Sequence, residues 1–153
     1  MYYATVLALM VVFPLLSIAI DSSVHHASPD LFLIGKWLVF WAVGVRLLLA
    51  GLRQVVQPQY TAKVILGIEG NEALFVVREL GFANAAIGAV GIMSILIPGW
   101  VAPGGFAGGI LYGLAGVNHA MQTHRNRLQN MAMASDLVAG AVLLTYCTWM
   151  ALT

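Results

Sequence analysis

The residues of this chain best placed to do chemistry are ionisable or amide side chains inside long apolar runs. They are Arg46, Arg78, Glu79 and Asp136, with Asn84, Asn118 and His119 beside them in polarity. A charge at the centre of a membrane helix costs about 2.5–3.5 kcal/mol on insertion scales, so each requires a compensating role. The four charges sum to zero, which permits a neutral ion-pair network that only holds helices together, each polar contact contributing about 0.6–2 kcal/mol. A second reading is a polar pocket for a proton, an ion, a lipid headgroup or a quinone. A third leaves Arg46 and Arg78 reaching separately for headgroups, their aliphatic stems buried and their charges at the interface.

Other chemistries find no support in the residue pattern. There is no nucleophile elbow, no His-Glu-x-x-His and no nucleotide loop, and two carboxylates on separate helices do not by themselves make an acid/base pair. His119 and His124 are five positions apart, about 140° around a helix, which is the wrong spacing for a metal site on one face. His124 falls in a loop with Arg125 and Arg127, a basic cluster suited to anionic headgroups. His25 and His26 fall on the opposite side from His119, which argues against a shared haem. With Asp21 and Asp30 they offer at most a weak surface metal site, so no metal or cofactor is predicted. A net charge of +1 provides no basic stripe for nucleic acid, and the single Cys147 permits no intrachain disulfide.

The elements that must carry these residues follow from hydropathy. The chain of 153 residues is 61% hydrophobic and 8% charged, against about 25% charged residues in ordinary globular proteins. A helix needs roughly 20 apolar residues to cross a bilayer, and the sequence supplies that length five times, at about residues 3–20, 31–52, 73–97, 104–121 and 131–152. The prediction is a single all-α domain over 1–153, a polytopic transmembrane helix bundle with a four-helix core plus an N-terminal helix. Met1 to Ile20 resembles a secretory signal but lacks a leading Lys or Arg, and is read as a retained first span kinked at Pro14. Asp30 is placed to cap the second span, where Trp37 and Trp41 suit an interfacial belt. The segment from Arg53 to Glu72 is too polar to cross. Its apolar positions Tyr60, Val64, Ile65 and Ile68 predict an interfacial helix opening at Pro58.

Lys and Arg are retained on the cytoplasmic side. Arg53, Lys63, Arg125 and Arg127 share one side of a five-span chain, which puts the N-terminus in the cytoplasm. Arg46, Glu79, His119 and Asp136 then fall within roughly 10 Å of the cytoplasmic face, at a rise of 1.5 Å per residue. Asn84 lies deeper and about 140° around from Glu79; it is expected to bond a neighbouring helix. Gly105, Gly109, Gly113 and Gly116 make a small-residue face for close helix packing inside the bundle or, alternatively, for self-association.

The stretch Arg78-Glu79-Leu80-Gly81-Phe82-Ala83-Asn84 resembles an uncharacterised family of small bacterial integral membrane proteins, in which an acidic residue precedes Gly-Phe-Ala-Asn at a central helix. Ile68-Glu69-Gly70-Asn71-Glu72, Asn118-His119 and Ser135-Asp136 extend the likeness over about Leu31 to Leu152. The resemblance implies a small bundle broadly like the DoxX-type membrane proteins, in the bacterial inner membrane. It singles out Glu79, Gly81, Phe82, Asn84, His119 and Asp136, and implies no reaction. The expectation is an accessory or ligand-binding bundle whose partners are membrane lipids and other membrane helices. A small proton-coupled transporter and a membrane enzyme acting on a lipid or quinone are the alternatives.

Overall fold

A computed structural model of the chain describes residues 2–26 and 28–153; Met1 and Ala27 lie outside the described residues. Among these, five helices are long and apolar enough to cross a membrane: α1 (Tyr2–His25), α2 (Leu31–Val56), α3 (Glu72–Met93), α4 (Pro98–Ala120, opening with one 3₁₀ turn) and α5 (Arg127–Leu152). A connector helix, Tyr60–Ile65, lies between α2 and α3. No strand occurs among the described residues, and the bundle is all-α.

Caps and prolines, more than hydropathy, set the helix ends. The Asp30 carboxylate accepts from the Leu33 N–H at 2.7 Å and opens α2. A reciprocal capping box between Asn126 and Gln129 starts α5 at Arg127, ahead of the apolar run. The segment after Met93 turns, and Ile97 is extended, the conformation favoured before a proline, so α3 stops short of Ile97. Pro103 sits inside the first turn of the regular α4 helix (Val101–Ala120), where its missing N–H would have no intrahelical partner in any case.

Two antiparallel hairpins, α2–α3 and α4–α5, form the body of the bundle, and glycines bring each pair close. A Cβ on Gly51 would lie 2.6 Å from the Gly81 carbonyl oxygen, and one on Gly91 would collide with the Gly44 backbone. In the second hairpin a Cβ on Gly116 would lie 2.7 Å from Leu137 Cγ, and one on Gly140 2.7 Å from Gly113 N. The Gly105, Gly109 and Gly116 positions face side chains of α5, with Val39 of α2 also beside Gly105. Val39, Val43, Leu143 and Val101 close the core between α2, α4 and α5.

The inward face of α2 carries Gly35, Val39, Val43, Leu47 and Gly51, a strict four-residue repeat. An α-helix would let that stripe drift by about 40° per step. The middle of α2, Val39–Val45, is instead π-wound, and its wider turns keep the stripe on its partners. In α1 the π-wound Ala8–Val12 comes just before the buried Pro14, whose ring would otherwise press on the carbonyl of Met10.

Helix α1 packs on the outside of this body. Trp37 and Lys36 donate to the Asp21 carboxylate at 2.9 and 2.7 Å, and Trp41 donates to Ser17 Oγ at 2.9 Å. The tryptophans expected in an interfacial belt fasten α1 to α2. Leu15, Leu16 and Ile20 on its outer side are exposed.

Candidate functional site

A cavity of about 540 Å³ lies at the end of the bundle where α1, α3 and α5 begin and α2 and α4 end. All five long helices and the connector contribute to its wall. Most of the wall is apolar, with Val6, Leu9, Leu47, Leu80 and Leu111 among the lining residues.

Its deepest polar feature is an ion pair. Arg46 Nη2 donates to Asp136 Oδ1 at 2.6 Å and to Ser135 Oγ at 3.0 Å, while Nη1 donates to Met10 Sδ at 3.1 Å. The guanidinium also stands 4.7 Å from the centre of the Tyr112 ring, a cation–π contact. Both charged side chains are 11% exposed. The Tyr112 hydroxyl donates to the Ala42 carbonyl in the π-wound part of α2. The ring is thereby held against the guanidinium from the helix that carries it.

A second polar pair closes another wall, where Asn84 Nδ2 donates to Gln54 Oε1 at 2.7 Å. His119 also lines the cavity and is 9% exposed. Its side chain has no hydrogen bond to any described residue, and its Nδ1 is buried without a partner. Among the described residues no group of three or more His, Cys, Asp or Glu gathers to hold a metal.

Of the seven polar residues read from the sequence, the structure brings Arg46, Asn84, His119 and Asp136 around one cavity. It leaves Arg78, Glu79 and Asn118 exposed on the outside of the bundle. The inward stripe of α3 is Val77, Gly81, Asn84, Gly88 and Gly91, and Glu79 stands about 200° from Val77 at 100° per residue. Arg78 and Glu79 therefore face away from the cavity; Gly81 packs level with Gln54 and Val55, which puts Arg78 and Glu79 nearer the end of α2 than Arg46, and neither joins an ion pair with a described residue.

Several contributors had weaker signals. Tyr112 is the one tyrosine in a glycine-rich helix, and Gln54 falls beyond the expected end of the second span. Tyr2, Thr5 and Thr61 have no spacing signal at all. Arg53 stacks over the Tyr60 ring at 3.4 Å and stands exposed at the cavity rim. In the loop before α5, Arg125 donates to the Ala120 carbonyl at 2.9 Å and to Asn130 Oδ1 at 3.0 Å. It thus serves the end of α4, while His124 and Arg127 remain exposed.

A family model described as a family of unknown function (DUF6790) matches residues 1–151. The chain belongs to the DUF6790 family. No curated protein and no solved structure matches it. The site of this DUF6790 chain is a mostly apolar chamber with one internally neutralised ion pair, one amide pair joined by a single hydrogen bond and one imidazole without a hydrogen-bond partner among the described residues.

Proposed function

We propose that this protein is a multi-pass membrane protein that holds a small amphipathic ligand in the cavity around Arg46, Asp136 and His119. The observation that carries the reading is the chamber itself. Ligand sites are mostly apolar hollows of about 300–1,000 Å³ with a few convergent polar groups, and this one, at about 540 Å³, has that size and make-up. A bundle needing only helix-to-helix glue has no use for the empty volume. Large exposed apolar side chains such as Leu15, Ile20, Phe75 and Leu114 support lipid as the surroundings.

The positive-inside bias supports an N-terminus in the cytoplasm and a cavity near the cytoplasmic face, since Arg53, Lys63, Arg125 and Arg127 gather at that end. The bacterial inner membrane and a likeness to DoxX-type bundles rest on the Glu79 to Asn84 motif. The ligand reading is tested by native mass spectrometry of the protein released from nanodiscs. A small molecule that co-purifies with the wild type and is lost in His119→Phe supports it, and an empty wild-type protein refutes it.

A second reading, association with other membrane helices, is favoured by the exposed Arg78 and Glu79, adjacent opposite charges with no ion-pair partner among the described residues. Reduced crosslinking between copies in Glu79→Arg, restored by adding Arg78→Glu, would support it. Unchanged crosslinking in both would dismiss this contact.

A further inference from the structure

We infer that the cavity selects an uncharged amphiphile, one whose polar end is a hydroxyl or carbonyl oxygen received by the His119 imidazole. The inference rests on the ligand-holding reading above and adds the chemical class of the ligand.

The charges in the chamber dictate the choice. Arg46 and Asp136 are its deep formal charges, and they meet at 2.6 Å. Ser135, Met10 and the Tyr112 ring further occupy the guanidinium. An incoming carboxylate or phosphate would compete with Asp136 for Arg46 and set two anions side by side in low dielectric. An incoming ammonium would do the converse to Arg46. Either leaves a buried charge without a full counterion, the expensive outcome in an apolar interior.

The amide pair makes one bond, Asn84 Nδ2 to Gln54 Oε1, which leaves Gln54 Nε2 and Asn84 Oδ1 as further neutral partners for a hydroxyl or carbonyl and adds no charge to the wall. Among these neutral groups His119 stands out, because it is buried yet without a side-chain bond to any described residue. Its Nδ1 is sealed, so Nε2 is the nitrogen that meets a ligand, donating or accepting according to the tautomer, and it can bond a carbonyl or a hydroxyl oxygen. The apolar wall of Val6, Leu9, Leu80 and Leu111 then takes the hydrocarbon part. The competing arrangement is an anionic head at the rim on Arg53, whose charge has no carboxylate partner among the described residues.

Three probes of equal chain length separate these possibilities: dodecan-1-ol, dodecanoate and dodecylammonium. Each is titrated into the protein in nanodiscs at neutral pH, with occupancy read by native mass spectrometry at matched membrane concentration. Wild-type protein should take the alcohol at least tenfold more tightly than either ion. Asp136→Asn, which leaves Arg46 without its counterion, should reverse the order in favour of dodecanoate, and dodecanoate should raise its melting temperature. Dodecanoate or dodecylammonium binding the wild type as tightly as the alcohol overturns the inference while leaving the cavity a ligand site. If that dodecanoate binding is lost in Arg53→Gln, the anion sits at the rim. Absence of binding by all three probes defeats the ligand-holding reading itself. The wild-type comparison decides even if Asp136→Asn does not fold.

Discussion

Arg46 on α2 and Asp136 on α5 meet at 2.6 Å, joining two helices that belong to different hairpins of the bundle. The pair is nearly enclosed, so each charge depends on the other. Replacing Asp136 with Leu leaves a buried guanidinium unmatched and should cost about 3 kcal/mol. The double variant Arg46→Met with Asp136→Leu removes both charges and should recover most of that loss. Thermal unfolding in detergent reads both. Equal destabilisation of the single and double variants would show that packing, and not charge matching, dominates the site.

Glu79 lies on the exposed side of α3, about level with the end of α2 and away from this pair. Glu79→Gln should shift stability by less than about 0.5 kcal/mol, as surface substitutions usually do, while Asp136→Asn is clearly destabilised. Comparable losses in the two variants would place Glu79 in the buried layer after all.

This contrast also shows what the sequence could disclose. Counting residues along each span puts Arg46, Glu79, His119 and Asp136 toward one end of the bundle but does not resolve their levels, since Gly81 packs level with Gln54 and Val55 and leaves Glu79 nearer that end than Arg46. Their direction around the helix cannot be counted: lipid, the surroundings proposed above, is as apolar as a bundle interior, so hydrophobicity does not separate inside from outside. The usable signal was size: Gly81, Gly88 and Gly91 mark the buried face of α3 and turn Asn84 inward, leaving Glu79 out. The π-wound middle of α2 was hidden for another reason. Gly44 is the one weak helix former in Val39–Val45, and the winding answers to partners on α3 and α4.

Glycine contacts make a graded prediction. Alanine in a helix interior is favoured over glycine by about 1 kcal/mol, so Gly→Ala is stabilising wherever a methyl fits. Nothing lies within 4 Å of a Cβ built on Gly113. Gly113→Ala should therefore keep or raise the melting temperature. At Gly91 the same methyl meets the Gly44 backbone, and at Gly88 it lies 2.5 Å from Leu48 N. Gly91→Ala and Gly88→Ala should both melt lower because α2 and α3 must separate. A stable Gly91→Ala would mean that this hairpin is looser than its backbone contacts indicate.

The Asn84–Gln54 bond should show coupling of about 1 kcal/mol, within the range for polar contacts between membrane helices. Asn84→Leu leaves the Gln54 amide buried without its partner, and Gln54→Leu does the same to Asn84. With both replaced, neither amide remains to be satisfied, so the double variant should be less unstable than the two single losses summed. Chemical unfolding of the four proteins in a double-mutant cycle measures the coupling. Strict additivity would mean that the two amides act independently.

The connector helix is held over the chamber from the start of α5. Asn126 Nδ2 donates to the Ile65 carbonyl at 3.1 Å and Gln129 Nε2 to the Leu66 carbonyl at 3.1 Å, while the same two residues form the capping box of α5. Asn126→Ala removes an N-cap, a loss of about 1 kcal/mol, and with it one tie to the connector. Thr61 and Ala62 are buried against the bundle, so loosening should appear there first. Hydrogen exchange should quicken over residues 58–66 and at the first turn of α5, with the middle of α2 unchanged. Faster exchange confined to α5 would show that the connector is held by its own packing and does not depend on the cap.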